Sequence, residues 1–214
     1  MTINKNDEMN ILSDKASKNR SIPYEKYFGE MYISEEEKEK RIALAREFEV
    51  IFLALFLMIE NSVNDISWDM LEQTLYENYL YIVKRYMGIT EVTSYIEELA
   101  RNVSYDVVNA TKNHLDDDWY TSIDRAVFDS ENEANSVGEY NAYVEAIKSG
   151  KTKKTWITMR DKRVRHSHID VDGVTIPIDY IFDVGDSQML YPRDITYSAS
   201  AKEIVNCRCN CKYT

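Results

Sequence analysis

Hydrophobic spacing changes character near residue 150. Before it, apolar positions recur at helical intervals; beyond it, short alternating runs replace them. Ser34 followed by Glu35, Glu36 and Glu37 reads as a capping box, in which the Ser34 hydroxyl accepts from the Glu37 backbone and the Glu37 carboxylate reaches back. Three acids in a first turn also suit the positive end of a helix. The helix this opens is strongly patterned over Ile42 to Glu60, and Val50 to Ile59 is apolar on nearly every face, as in a helix buried among others. A membrane-perturbing segment would give the same pattern, although this run is half the length needed to span a bilayer.

Ser67 as cap and Gly88 as the residue beyond the end bracket a second helix, Trp68 to Met87, with Leu71, Leu75, Leu80, Ile82 and Val83 on its apolar positions. Thr90 opens a third, to about Asn109, carrying Ile96, Leu99, Val103, Val107 and Val108. The polar stretch Thr111 to Asp118, with His114, reads as a solvated loop. A helix restarts at Asp118 or Thr121, and Ala134, Val137, Tyr140, Tyr143, Val144 and Ile147 keep helical spacing from about Ser130 to Lys148. Ser149-Gly150 ends it.

Lys151 to Lys154 is a basic linker. Thr155 to Met159 reads as a strand, and Val174 to Ile178 as another entered by the Asp172-Gly173 turn. Phe182 to Ser200 reads as irregular loop and Glu203 to Lys212 as a last strand. The expected fold class is therefore α+β: a helical N-terminal domain of four to five helices, then a small antiparallel β-containing C-terminal module. The expected divisions are a flexible arm over 1–30, a helical domain over 31–150 and the module over 151–214. Tyr24, Tyr27, Phe28, Met31 and Tyr32 would anchor the arm if it docks.

Charge sharpens this division. The net charge is −11, but residues 151–214 carry a net +3, leaving −14 on the remainder. The acidic part opposes a free nucleic-acid binder at long range. Only the module can approach a phosphate backbone, weakly and non-specifically, through Lys151, Lys153, Lys154, Arg160 and Arg163. Met1 to Arg20 has no apolar core of a secretion signal. Three cysteines, all near the C-terminus, do not make a secreted disulfide framework, which points to folding in a reducing compartment.

The residues able to carry chemistry are Asp161, Arg163, Arg165, His166, His168, Cys207, Cys209 and Cys211. Thiolates and imidazoles are zinc ligands. Cys207-x-Cys209 on an extended strand would set both sulfurs on one side, where His168 can join them, with His166, Cys211 or Asp161 as a fourth ligand. Zinc is thus a possible cofactor, and a purely structural role for the same residues is the competing reading. The histidines and arginines also suit phosphate-ester cleavage by a nuclease-like or toxin-like enzyme, although no carboxylate cluster for two metals and no activated nucleophile is evident. No catalytic residue is assigned.

Several islands recur in one order: Trp156-x-x-x-x-Asp161-x-x-Val164-Arg165-x-x-His168, then Asp172-Gly173, then Tyr191-Pro192-Arg193-Asp194, then Asn206-Cys207-Arg208-Cys209. A fainter signature precedes them in Ser130-Glu131 and Asn135. Together they resemble the Mu F-like minor head proteins of tailed phages, also called phage head morphogenesis proteins, over residues 130–214. The resemblance implies a minor structural protein of the head, associated with the portal or capsid interior and acting in head morphogenesis, DNA packaging or DNA delivery. It implies portal and capsid or scaffold proteins as partners, no membrane, and residence in the virion after assembly in the bacterial host cytoplasm. The alternatives are the enzyme above and a plain nucleic-acid-binding accessory protein.

Overall fold

A computed structural model of the chain describes residues 24–61 and 67–214. Most of the arm expected over 1–30 lies outside the described residues. The fold is α+β, with its helices mostly N-terminal and its strands gathered at the C-terminus. The elements are α1 (Tyr24–Gly29), α2 (Glu35–Asn61), α3 (Trp68–Met87), α4 (Ser94–Asn113), a 3₁₀ turn (Asp118–Thr121) and α5 (Ile123–Lys148). They are followed by β1 (Lys153–Ile157), α6 (His166–Ile169), β2 (Thr175–Pro177), β3 (Phe182–Val184), β4 (Ser187–Met189), α7 (Ala201–Ile204) and β5 (Asn210–Tyr213). They form two compact units: one contains Ala43–Glu131, the other Glu25–Ile42 together with Asn132–Thr214. Residue 150 therefore lies inside the second unit, whose module shares one body with helical segments.

The first unit is a helical bundle. The apolar run of α2 is inside it: Phe48, Phe52, Leu53, Leu55, Phe56 and Ile59 are all buried. Phe48 stacks on Phe52 and meets Tyr79 of α3 with ring centroids 4.8 Å apart. No described helix is long and apolar enough to cross a membrane. Helix α3 has the expected bounds, with Gly88 in the left-handed conformation donating to Arg85 and Lys84 carbonyls, but the Ser67 side chain makes no capping bond. Helix α4 starts later than Thr90, because Thr93 is the cap and its hydroxyl accepts from Ile96. The buried Arg125 guanidinium donates to Thr111 and Tyr120 and lies over the Tyr120 and Phe56 rings.

The second unit carries the strands. Its three-stranded antiparallel sheet has the order β2-β1-β5, with Thr155 opposite both Thr175 and Lys212, and Trp156 opposite Cys211. The expected loop over Phe182 to Ser200 contains a second sheet, the β3–β4 hairpin turning at Gly185-Asp186. The expected strand over Glu203 to Lys212 is half wrong: Ala201–Ile204 is a turn of helix, and pairing begins only at Asn210. Three-residue strands give too little alternation to distinguish from loop.

A buried guanidinium joins the helices of this unit. Arg41 of α2 is 1% exposed, and its charge is balanced by Glu37 at 2.7 Å and by the equally buried Glu139 of α5 at 2.8 Å, with Asn135 accepting beside them. Glu37 is thus drawn to Arg41, while the Ser34 hydroxyl accepts from the Glu37 backbone. Room for the guanidinium comes from Gly138: a Cβ there would stand 2.5 Å from Arg41 Nε. Burial pushes the Glu139 carboxyl up to about 7, Arg41 offsetting only part of the effect.

Three outcomes follow from this packing. Phe52→Ala should cost about 3–5 kcal/mol of unfolding free energy, as an unfilled core cavity does, whereas Met58→Ala, at a half-exposed site on the same helix, should change it by less than about 0.5 kcal/mol. Equal losses in chemical denaturation would contradict a buried α2. Gly138→Ala should displace Arg41 and cost about 3 kcal/mol or more, since breaking a buried pair strands a charge; a neutral Ala variant would show that the helix does not carry the guanidinium. The folded state holds the Glu139 proton more tightly than the unfolded chain. This contribution is therefore complete below about pH 4.5 and is lost as the pH rises through about 7. Stability measured at pH 5 and pH 8 should fall with pH in the native chain by up to about 3 kcal/mol more than in Glu139→Gln.

Candidate functional site

Helix α6 is a single turn, and the two-residue spacing of its histidines puts them on opposite sides of it: His166 is exposed and His168 is buried. After α7 the chain reverses through Asn206 in the left-handed conformation (φ 58°), which asparagine tolerates better than most side chains. The reversal delivers Cys207 and Cys209, both buried, to His168. The imidazole Nδ1 lies 3.3 Å from Cys209 Sγ and 3.6 Å from Cys207 Sγ. All three ligand atoms fall within 4.8 Å of one another.

The other edge of the ring is fixed by Glu203 of α7. Its Oε2 stands 3.1 Å from His168 Nε2 and accepts from the Ser167 hydroxyl at 2.7 Å. In the neutral tautomer that donates from Nε2 to Glu203, Nδ1 turns a lone pair toward the sulfurs. The hairpin tip closes over this contact. Gly185 has φ 59°, and a Cβ there would come within 2.9 Å of Glu203 Oε1, so both conformation and space call for glycine. Trp156 of β1, fully buried, meets the His168 ring edge-on at 5.5 Å and Phe182 at 5.2 Å. Its indole N–H is buried on the side of Cys209 and offsets part of the upward push on that thiol. The two thiols divide their roles. Donation from Cys209 holds Cys207 well below its usual range, while that same bond and burial push Cys209 up.

The cysteine loop is held from α5. Asn135 donates to the Cys207 carbonyl at 2.8 Å, and Asn132 accepts from the Asn206 backbone at 2.8 Å. Arg193, itself left-handed at φ 72° and buried, donates to Ser136, Asn132 and the Ile204 and Cys207 carbonyls. Asp194 closes its own loop by accepting from Leu190 and Thr196. Sequence reasoning noted Asn135 but assigned no role to Asn132, Ser136, Arg193 or Glu203. Asn132, Asn135 and Ser136 stand at i, i+3 and i+4 and so share one face of α5, where all three are buried.

The remaining motif residues lie around the cluster without entering it. Both Asp161 carboxylate oxygens accept from Arg208 Nη2, at 2.6 and 2.8 Å, and Asp161 also accepts from the Arg163 backbone. Burial raises the Asp161 carboxyl, but these donors more than offset it and hold it below its usual range. Arg208 therefore points away from its two cysteine neighbours. Arg165 donates to the Val205 carbonyl, not to Asp172 or Asp194. Asp172 accepts from Thr158 N and Arg160 Nε, both at 2.8 Å, and Gly173, at φ 79°, donates to the Trp156 carbonyl. Of the three residues considered as a fourth ligand, His166 faces solvent, Asp161 pairs with Arg208, and Cys211 is buried in β5 with its N–H on Glu139. Cys207 and Cys209 precede the last strand; it is the turn at Asn206 that brings both toward His168.

The five basic residues considered for phosphate contact are not equivalent. Lys154 is fully buried, donates to the Ile178 carbonyl at 2.7 Å and lies near the Tyr143 and Phe182 rings; it cannot reach a phosphate. Burial brings its amine down to about 8. Arg160 pairs with Asp172, and Arg163 with Glu30 and Asp161. Lys151 and Lys153 are exposed.

The family model described as Phage Mu protein F like protein matches residues 92–212, more than half the chain. No curated protein and no solved structure gives a significant match. The matched span holds the α5 stripe, the Trp156 strand, all three histidines and all three cysteines. The chain belongs to the phage Mu protein F like family, a family of structural phage head proteins.

Proposed function

We propose that this chain is a minor structural protein of a tailed-phage head, associated with the portal or the capsid interior and acting in head morphogenesis, DNA packaging or DNA delivery. The match to the family over residues 92–212 carries this reading. The site geometry supports it: the buried polar groups are used to tie loops to α5, as in a docking module built for shape. The enzyme reading needs two histidines converging on one phosphate. Here His166 is exposed, while His168 is buried between two sulfurs and a carboxylate. Glu37 and Glu139, the acids beside an open groove of about 650 Å³ along β5, are both tied to Arg41.

The chain should co-purify with the portal protein encoded in the same genome, and purified particles should contain it in far fewer copies than the major capsid protein. Particles lacking the chain, together with no portal association, would overturn the proposal. Incubation with DNA or RNA, with or without divalent metal, should leave both intact. Cleavage lost in both His166→Ala and His168→Ala would favour the nuclease. DNA contact in this reading rests on Lys151 and Lys153, so the affinity should fall with salt with a logarithmic slope of about −2. A slope steeper than about −4 would mean that the paired arginines are released to bind.

A further inference from the structure

The cluster at the end of α6 has a donor set, a spacing and an outer partner that belong together. Two sulfurs and one imidazole nitrogen are soft to borderline ligands, the set preferred by zinc over magnesium or calcium. Zinc–sulfur bonds of about 2.3 Å and zinc–nitrogen bonds of about 2.0 Å at a tetrahedral centre set nitrogen–sulfur separations of about 3.5 Å. The observed separations from Nδ1 are 3.3 and 3.6 Å. A single ring nitrogen facing two sulfurs at nearly equal distance is also what a shared ion requires. Two thiolates and a neutral imidazole balance a dication, so the ion and its three protein ligands together carry no net charge.

The partner on the far side of the ring completes the pattern. A metal-ligating histidine almost always gives its other N–H to a carboxylate, carbonyl or water, which fixes its tautomer. Glu203 takes that position at 3.1 Å, and is itself oriented by Ser167 and covered by Gly185. Among the described residues no fourth histidine, cysteine or carboxylate joins the group. We propose that His168 Nδ1, Cys207 Sγ and Cys209 Sγ bind one zinc ion, with Glu203 as the positioning carboxylate and a solvent molecule in the fourth place. The ion joins α6 to the cysteine loop across about forty residues of chain, and its binding energy adds to folding energy. The site rests on this chain's own residues and not on the virion role, so either can fail alone.

The test uses the full chain, expressed with zinc supplied and purified without a metal-affinity column. Elemental analysis should find about one zinc per chain, and cobalt substitution should give thiolate-to-cobalt charge-transfer absorption in the near ultraviolet. Cys207→Ser and Cys209→Ser should each lose the metal. Cys211→Ala, outside the cluster, should retain it and controls for general damage to the module. Glu203→Gln should remain folded by circular dichroism and weaken zinc, measured by chelator competition, by about 10–100-fold. A folded native chain that takes up neither zinc nor cobalt under reducing conditions would overturn the site, as would a Cys207–Cys209 disulfide with no metal in freshly isolated protein. Undiminished zinc in the two serine variants would overturn the ligand assignment, and unchanged affinity in Glu203→Gln would overturn the role given to that carboxylate.

Discussion

The Cys207 carbonyl oxygen is buried and accepts from two side chains, Asn135 on α5 and Arg193 on the loop after β4. A buried carbonyl left unpaired costs about 1–3 kcal/mol, so these donors decide which loop path is permitted. The path they select is expensive in backbone terms. Asn206 and Arg193 both sit at positive φ, and residues other than glycine persist there only when their surroundings over-determine them. Asn132 over-determines both: its one carbonyl oxygen accepts from the Asn206 backbone and from the Arg193 guanidinium. The helix thus acts as a template, and the sulfurs stand beside His168 because α5 has fixed the main chain on either side of them.

Such a template is needed because the strands of this unit are short. Strands of three to five residues offer few ladder bonds and little apolar face. A sheet of that size depends on a helix packed against it or on a staple. The packed helix is visible in the placement of the aromatic rings. Tyr143 of α5 packs on Tyr191 at 5.0 Å, while Trp156 turns inward to His168 and Phe182. Hydroxyl-bearing rings line the helix side, and the indole fills the space behind the cluster.

What the sequence made legible was the periodic part. The helix over Trp68–Met87 was readable to its ends because Gly88 supplies a left-handed stop and the apolar spacing is regular. The apolar run of α2 was readable for the same reason. The β3–β4 hairpin was not, since three residues carry no measurable period. Lys154 looked like a surface cation in a basic run, yet its ammonium finds the Ile178 carbonyl and two ring faces, a long-range arrangement that no local rule anticipates. Glu203 was invisible for a related reason: its role exists only once a one-turn helix brings it against His168 from 35 positions away. His168, Cys207 and Cys209 were singled out from residue type and grouping; their meeting depended on the turn at Asn206, which replaced the expected strand.

Arg41 extends the same logic toward the helices. One guanidinium holds Glu37, Asn135 and Glu139, and each of the last two continues onward: Asn135 to the Cys207 carbonyl, Glu139 to the Cys211 backbone N–H. The two cysteines so reached flank Cys209. Moving Arg41 would therefore disturb the main chain on both sides of a residue it does not touch. A Cβ at Gly138 would force such a movement, because that position abuts the guanidinium at less than a van der Waals separation. Contacts of this kind are bistable rather than elastic in a close-packed interior. The network from Gly138 through Arg41 to the cysteine loop makes the loop's geometry depend on how α2 seats against α5, well before any ion or partner is considered.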